Sequence, residues 1–338
     1  MEKKRNYKID NIKAMLIFLV VFAHNMEPLY KGSIRFMYLF IYLFHMPLFI
    51  LCTGYFAKFS MDRVKYKIIY PYVVFQVAYL LFEVLYYKES DYPITLFSPY
   101  WILWYLFSFF FWMMLLPFVG RAYKKRKDAL ILIFISLIVG VMIGFDNQIG
   151  MDFSLSRTIV FWPYFLLGHA MRQYENWDLL KRKYSKTDKQ KNMILFVFII
   201  LLYVLTQKYL SPKAVYGAYA YSDCGMEWYT RVFLYLMGFL ISLCIIIWMP
   251  KKRTIFSYLG QNSMQIFLLH GFIIKILRKI NIYKLLKGEA VQWIFLVAST
   301  VVLVLFLGSS WIKKMIIPFM EYPERKGGRN DSKIRGAR

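Results

Sequence analysis

Four histidines occur in the 338 residues, at positions 24, 45, 169 and 270, and each falls inside a long apolar run. An ionisable ring in such a run is a candidate for chemistry, because charge is costly in hydrocarbon. The plainer reading is a neutral ring hydrogen-bonded to a neighbouring helix. Imidazole titrates near neutrality and so can take a proton from a hydroxyl. By helical rise, His24 lies roughly 20 Å above Asn11, with His45 and His270 in a similar layer, whereas His169 falls beside Arg172 at a boundary. Lys13 precedes His24 by eleven residues. That spacing puts the two side chains roughly 20° apart on the helix and roughly 16 Å apart along its axis. Asp10 stands about 40° off the same stripe. A cation, a carboxylate and a deep imidazole thus share one wall, although Lys13 could also simply snorkel to the interface.

Arg157 opens another apolar run and reads either as a flank anchor or as a charge able to stabilise an oxyanion. Segment 207–230 holds Tyr209, Tyr216, Tyr219, Tyr221, Trp228 and Tyr229, with Asp223 and Glu227 among them. Such a cluster suits an interfacial aromatic belt. It also suits a stacking surface for polar rings such as sugars, with Tyr219, Tyr221 and Trp228 as candidate substrate-binding residues.

These residues need elements to hold them. The chain is 59% apolar and 20% aromatic, with a mean hydropathy of +0.44, and its apolar residues fall in runs long enough to span a bilayer. Runs near 11–30, 34–56, 67–87, 100–119, 129–146, 157–172, 193–210, 231–249, 257–277 and 291–312 predict an all-α, polytopic integral membrane protein of about ten transmembrane helices. Strand-period alternation is absent. Most of the 44 Lys and Arg cluster before the first run and in every second loop, which predicts both ends inside by the positive-inside rule. One outer loop, 275–290, breaks the pattern with Lys275, Arg278, Lys279, Lys284 and Lys287. The formal charge of +25 is a topology signal spread over loops, not the single basic face that nucleic acid requires. No internal repeat is visible, which argues mildly against transporters built from inverted repeats. The expected organisation is one membrane domain, 1–320, and a polar basic cytoplasmic tail, 321–338, of disordered composition. Cys52, Cys224 and Cys244 have no ligand spacing, and no metal site is expected. The first apolar run lacks a small-residue cleavage site and reads as a retained span.

Five segments carry a family likeness. YKIDNIKAMLIFLVVFAHNMEPLY (7–30) has a basic residue, ten intervening positions and a histidine, here Lys13 and His24. YLFIYLFHMPLFILCTGYFAKF (38–59) has Phe-His-Met-Pro-Leu-Phe, then Thr53-Gly-Tyr where Ser-Gly-Tyr or Ser-Gly-Phe is usual. WILWYLFSFFFW (101–112), RTIVFWPYFLLGHAM (157–171, with His169 where Tyr is common) and LGQNSMQIFLLHGFI (259–273) follow in order. Together they resemble the acyltransferase family 3 membrane proteins, especially the fucose 4-O-acetylase-like branch. The resemblance implies ten helices, acetyl-CoA as acyl donor and a carbohydrate hydroxyl as acceptor.

On that footing the sequence leads to an O-acetyltransferase that acts on a cell-surface or lipid-linked glycan. His24 is the expected base, and His45, Arg157 and His270 are expected to orient it, hold the acceptor or stabilise the oxyanion. Lys13 and Asp10 stand at the acetyl-CoA entrance. A multi-pass protein of a bacterial plasma membrane, in contact with lipid and not nucleic acid, suits the Lys- and Ile-rich composition. The alternative is a transporter or flippase for a sugar or lipid-linked glycan, since a polar path through a membrane serves that too. A noncatalytic scaffold would leave the histidine layer without purpose.

Overall fold

The computed structural model describes residues 6–87, 95–149 and 152–322. Lys3, Lys4, Arg5, Lys88 and residues 323–338 of the expected tail lie outside them. The described residues form helices and connecting turns, with no strand among them. We label the long helices α1 (Tyr7–Met26), α2 (Gly32–Phe56), α3 (Met61–Tyr87), α4 (Trp101–Ala122), α5 (Arg126–Phe145) and α6 (Leu155–Gln173). They continue with α7 (Lys186–Tyr209), α8 (Trp228–Trp248), α9 (Ser263–Lys279), α10 (Glu289–Leu307) and α11 (Ser310–Met320).

Eight of these helices are long and apolar enough to cross a membrane: α1–α5, α7, α8 and α10. This is a polytopic membrane protein. The two other runs read as spans, α6 and α9, are the more polar helices, and they carry Arg157, His169 and His270. Their polarity follows from their place, because both bury most of their length against other helices and not against lipid.

Burial separates centre from periphery. The apolar windows of α1 and α2 are 56% and 61% buried, against 22% in α5 and 17% in α7. Phe134, Ile194, Phe198 and Leu205 therefore face outward, as side chains do where hydrocarbon is the solvent. At the centre, α2 packs on α6 backbone to backbone. A Cβ at Gly54 would run into the Phe165 carbonyl, and one at Gly168 into the Leu51 carbonyl. Small residues allow this approach, which supplies the dispersion that binds helices in lipid.

Polar residues fix the ends. Asn11 donates to the Pro250 and Lys252 carbonyls at 3.0 Å each and accepts from Thr254 at 2.8 Å, while Tyr70 donates to Pro318. The start of α1, segment 249–257 and the end of α11 thus share one end of the bundle. Two stretches of α3, Lys65–Ile69 one turn after its start and Glu83–Tyr87 at its end, are π-helical, a wide turn that often accompanies a site.

The anomalous charges of 275–290 have an explanation. α9 continues through Lys279, and Lys275 makes a buried 2.9 Å ion pair with Glu83. Arg278 pairs with Glu27 at 2.6 Å. Two of the five cations are thus internal partners and carry no information about sidedness.

Candidate active site

α1 ends where its sequence turns from apolar to HNMEPLY, and Pro28 in the next turn cannot extend the helix ladder. Glu27 falls three residues after His24, on the same helix face. Its Oε1 accepts from His24 Nδ1 at 2.7 Å. A carboxylate can only accept, so Nδ1 carries the proton and the lone pair of the neutral ring is on Nε2. Glu27 is held in turn by Arg278, whose Nη2 donates to Oε2 at 2.6 Å and to the His24 carbonyl at 2.9 Å. Tyr42 donates to Oε1 at 3.3 Å. An oriented imidazole backed by an anchored carboxylate is the arrangement of a general base.

The ring of His24 stacks on His270, with centroids 5.5 Å apart, and meets Trp101 edge-on at 4.7 Å. His270 donates from Nδ1 to the Ile266 carbonyl, and its buried Nε2 has no partner among the described residues. His45 likewise donates from Nδ1 to the Ile41 carbonyl at 2.8 Å, and Tyr42 lies edge-on to it at 4.7 Å. All three rings thus present Nε2 as acceptor. Trp101 adopts φ +30°, a region costly for a residue with a Cβ and often found at sites. Its ring also carries the Arg278 guanidinium, 5.1 Å from the centroid. His169 stands apart, bonded to the Tyr123 hydroxyl at 2.6 Å.

A cavity of about 360 Å³ opens among α1, α2, α3, α4 and α9. Lys13, Lys58, Arg63 and Lys67 line it, and Lys67 also pairs with Glu321 at 2.7 Å. Its deeper wall includes Thr53, Tyr105 and Phe267, with the Thr53 and Tyr105 hydroxyls 2.6 Å apart. Phe267 touches Tyr105 at 5.6 Å and His270 at 6.2 Å between centroids. One ring therefore separates the cationic cavity from the histidine pair. Asp10 lies at the same end but packs against the 257–261 helix, accepting from Gln261 at 3.4 Å.

On the opposite side, segment 207–227 closes over α2. Arg35 anchors it through Gln207 and the Leu210 carbonyl. Tyr216 reaches the site, with its hydroxyl 2.6 Å from that of Tyr38 and its ring 5.2 Å from Tyr42. Burial, with the Glu27 carboxylate near, pushes the Tyr216 hydroxyl up to about 12, so it keeps its proton. Tyr219 lies tilted against Tyr216, 6.4 Å between centroids, with Lys213 over its ring. Tyr221 is buried and donates to the Val141 carbonyl, while Trp228 is 49% exposed and meets Tyr229. Arg157 lies over Trp104, 5.0 Å from the ring centroid.

The structure thus brings His24, His270 and, through Tyr42, His45 together, and lines a cavity with Lys13. Glu27, Arg278 and Trp101 complete the cluster and were not singled out from the sequence. The one signal for Glu27 was its i, i+3 spacing from His24. Residues 6–312 match the family model described as an acyltransferase domain. No curated protein and no solved structure matches the chain.

Proposed function

This chain belongs to the acyltransferase family, and from that premise we propose that it moves an acetyl group from cytoplasmic acetyl-CoA to a hydroxyl of an exported or surface carbohydrate. The observation that carries the reading is the His24–Glu27 pair, which stacks on His270 and is divided from a cation-lined cavity by the single ring of Phe267. We take α6 and α9 as spans alongside the eight apolar helices, giving ten, and place both chain ends in the cytoplasm with the basic loops. The membrane is then the plasma membrane of a bacterium. The likeness of the opening motifs to the fucose 4-O-acetylase-like branch points to a sugar as acceptor.

The residues present fit the donor. Lys13, Lys58, Arg63 and Lys67 suit phosphates, and a cavity of about 360 Å³ suits an extended arm better than a nucleotide. Acetyl-CoA bound there supplies the activated thioester. His24 Nε2 takes the proton of the acceptor hydroxyl as its oxygen bonds to the acyl carbon, and Glu27 holds the imidazolium so formed. The same proton leaves with the sulfur when the C–S bond breaks, giving the ester and a free thiol. Glu27 and Arg278 neutralise one another, so the ring gains its positive charge beside a carboxylate already anchored. Tyr216 and Tyr219 offer the acceptor aromatic faces and hydroxyls from the opposite side.

The test is the acetyl content of surface polysaccharide with wild-type and His24→Ala protein, checked for equal abundance in the membrane. Wild type restores acetyl groups and consumes acetyl-CoA, and His24→Ala does neither. Acetylation by that variant within tenfold of wild type would reject the role of His24. Movement of a glycan without thioester consumption would instead favour a transporter.

A further inference from the structure

Arg231, four residues into α8, is 2% exposed and makes no ion pair among the described residues. Among the described residues its Nε and Nη1 have no acceptor, and Nη2 has the Tyr219 carbonyl at 3.5 Å. The Tyr221 ring lies 5.7 Å from the guanidinium carbon. Asp223 and Glu227, the carboxylates closest in sequence, are exposed. A buried guanidinium without a counter-charge is strongly unfavourable unless an anion completes it.

Arg231 lines a second cavity, of about 30 Å³, among α2, α6, α8 and residues 214–217. That volume holds a charged group and not a sugar ring. The other polar side chains around it are committed elsewhere. Tyr235 donates to the Val160 carbonyl at 2.8 Å and Tyr164 to the Tyr235 carbonyl at 3.2 Å. The wall shared with the active site is Tyr42, which donates to Glu27. The roof is segment 214–217, whose last residue, Gly217, turns at φ +65° over Val160 and Phe161. This cavity therefore lies on the acceptor side of His24, away from the cationic cavity.

We propose that Arg231 is an acceptor-binding residue and that the acceptor is anionic, a glycan whose carboxylate or phosphate enters this cavity while its hydroxyl faces His24. The guanidinium fork matches the paired oxygens of either group. This inference rests on the acyl-transfer reading for the word acceptor; the anion site does not depend on it.

The experiment uses the full chain in lipid nanodiscs, with glucuronate, glucose 1-phosphate, glucose and inorganic phosphate as probes and thermal stabilisation as the measure of binding. Both charged sugars, or one of them, should bind at least tenfold tighter than glucose, and their order identifies carboxylate or phosphate as the preferred group. Arg231→Met should abolish the difference yet melt no lower than wild type without ligand, because it removes an uncompensated charge. Arg231→Lys, which keeps the charge, should retain part of the discrimination and serves if the Met variant is unstable. His24→Ala should discriminate as wild type does, which separates this outcome from failure of the acyl-transfer reading. Equal binding of glucose and the charged sugars overturns the proposal, as does discrimination that survives Arg231→Met. Inorganic phosphate binding as tightly as the charged sugars would mark an adventitious ion only, and overturns it too.

Discussion

Replacing Glu27 with Gln keeps the size of the side chain and an oxygen for Tyr42 and His24, but removes the charge. The heavy atoms of the His24–Glu27 pair are 2.7 Å apart, which puts the charge centres roughly 4 Å apart. At that separation an effective dielectric near 20 gives about 4 kcal/mol between a full imidazolium and a carboxylate. In the proposed reaction the imidazolium forms as the hydroxyl proton is taken, so this attraction acts on the transition state and not on ground-state binding. A loss of about 4 kcal/mol is about a thousandfold in rate. Thiol release from acetyl-CoA at saturating acceptor should show kcat down by about that factor, with KM for acetyl-CoA changed by no more than about threefold. The double variant His24→Ala/Glu27→Gln should be no slower than His24→Ala alone, because the two residues act as a unit. If Glu27→Gln lost less than about tenfold in kcat, or if the two changes multiplied, the carboxylate would not act through His24.

Lys13→Ala and Arg63→Ala should each raise KM for acetyl-CoA by about five- to tenfold and leave kcat nearly unchanged, with the wild-type KM itself rising with salt; steady-state kinetics at two ionic strengths checks both. Lys275→Met leaves Glu83 buried without its cation and should cost about 3–5 kcal/mol, whereas Lys275→Met/Glu83→Leu should recover most of it. Thermal unfolding in detergent decides between recovery and a further fall.

The sequence made the helices legible because hydrocarbon imposes one rule on every segment: long apolar runs, with charge between them. It also made His24 and Lys13 legible, since a regular helix converts spacing into direction. Glu27 escaped because an acid after the last apolar turn looks like a loop residue, and only folding of α9 against α1 brings Arg278 to it. Arg278 and Lys275 were misread as loop charges for the same reason: their partners are more than 190 positions away in the chain. Trp101 offered no cue, because its role comes from a backbone angle. Arg231 is the first residue of an apolar run, and only its burial in the fold reveals that no counter-charge meets it among the described residues. Tyr219, Tyr221 and Trp228 were chosen for composition alone, and it is Tyr216, from the same segment, that touches the cluster.

The glycine contact between α2 and α6 has a consequence for motion. Where backbone rests on backbone, no side chain stands in the seam that could swing into a second rotamer, so sliding of one helix past the other has no alternative resting place. His45 and Arg157, one on each helix, therefore ride on a single stiff beam. Any breathing that admits or releases a ligand falls to parts hinged on that beam: the wide turns within α3 on one side, and the strap tied down by Arg35 on the other.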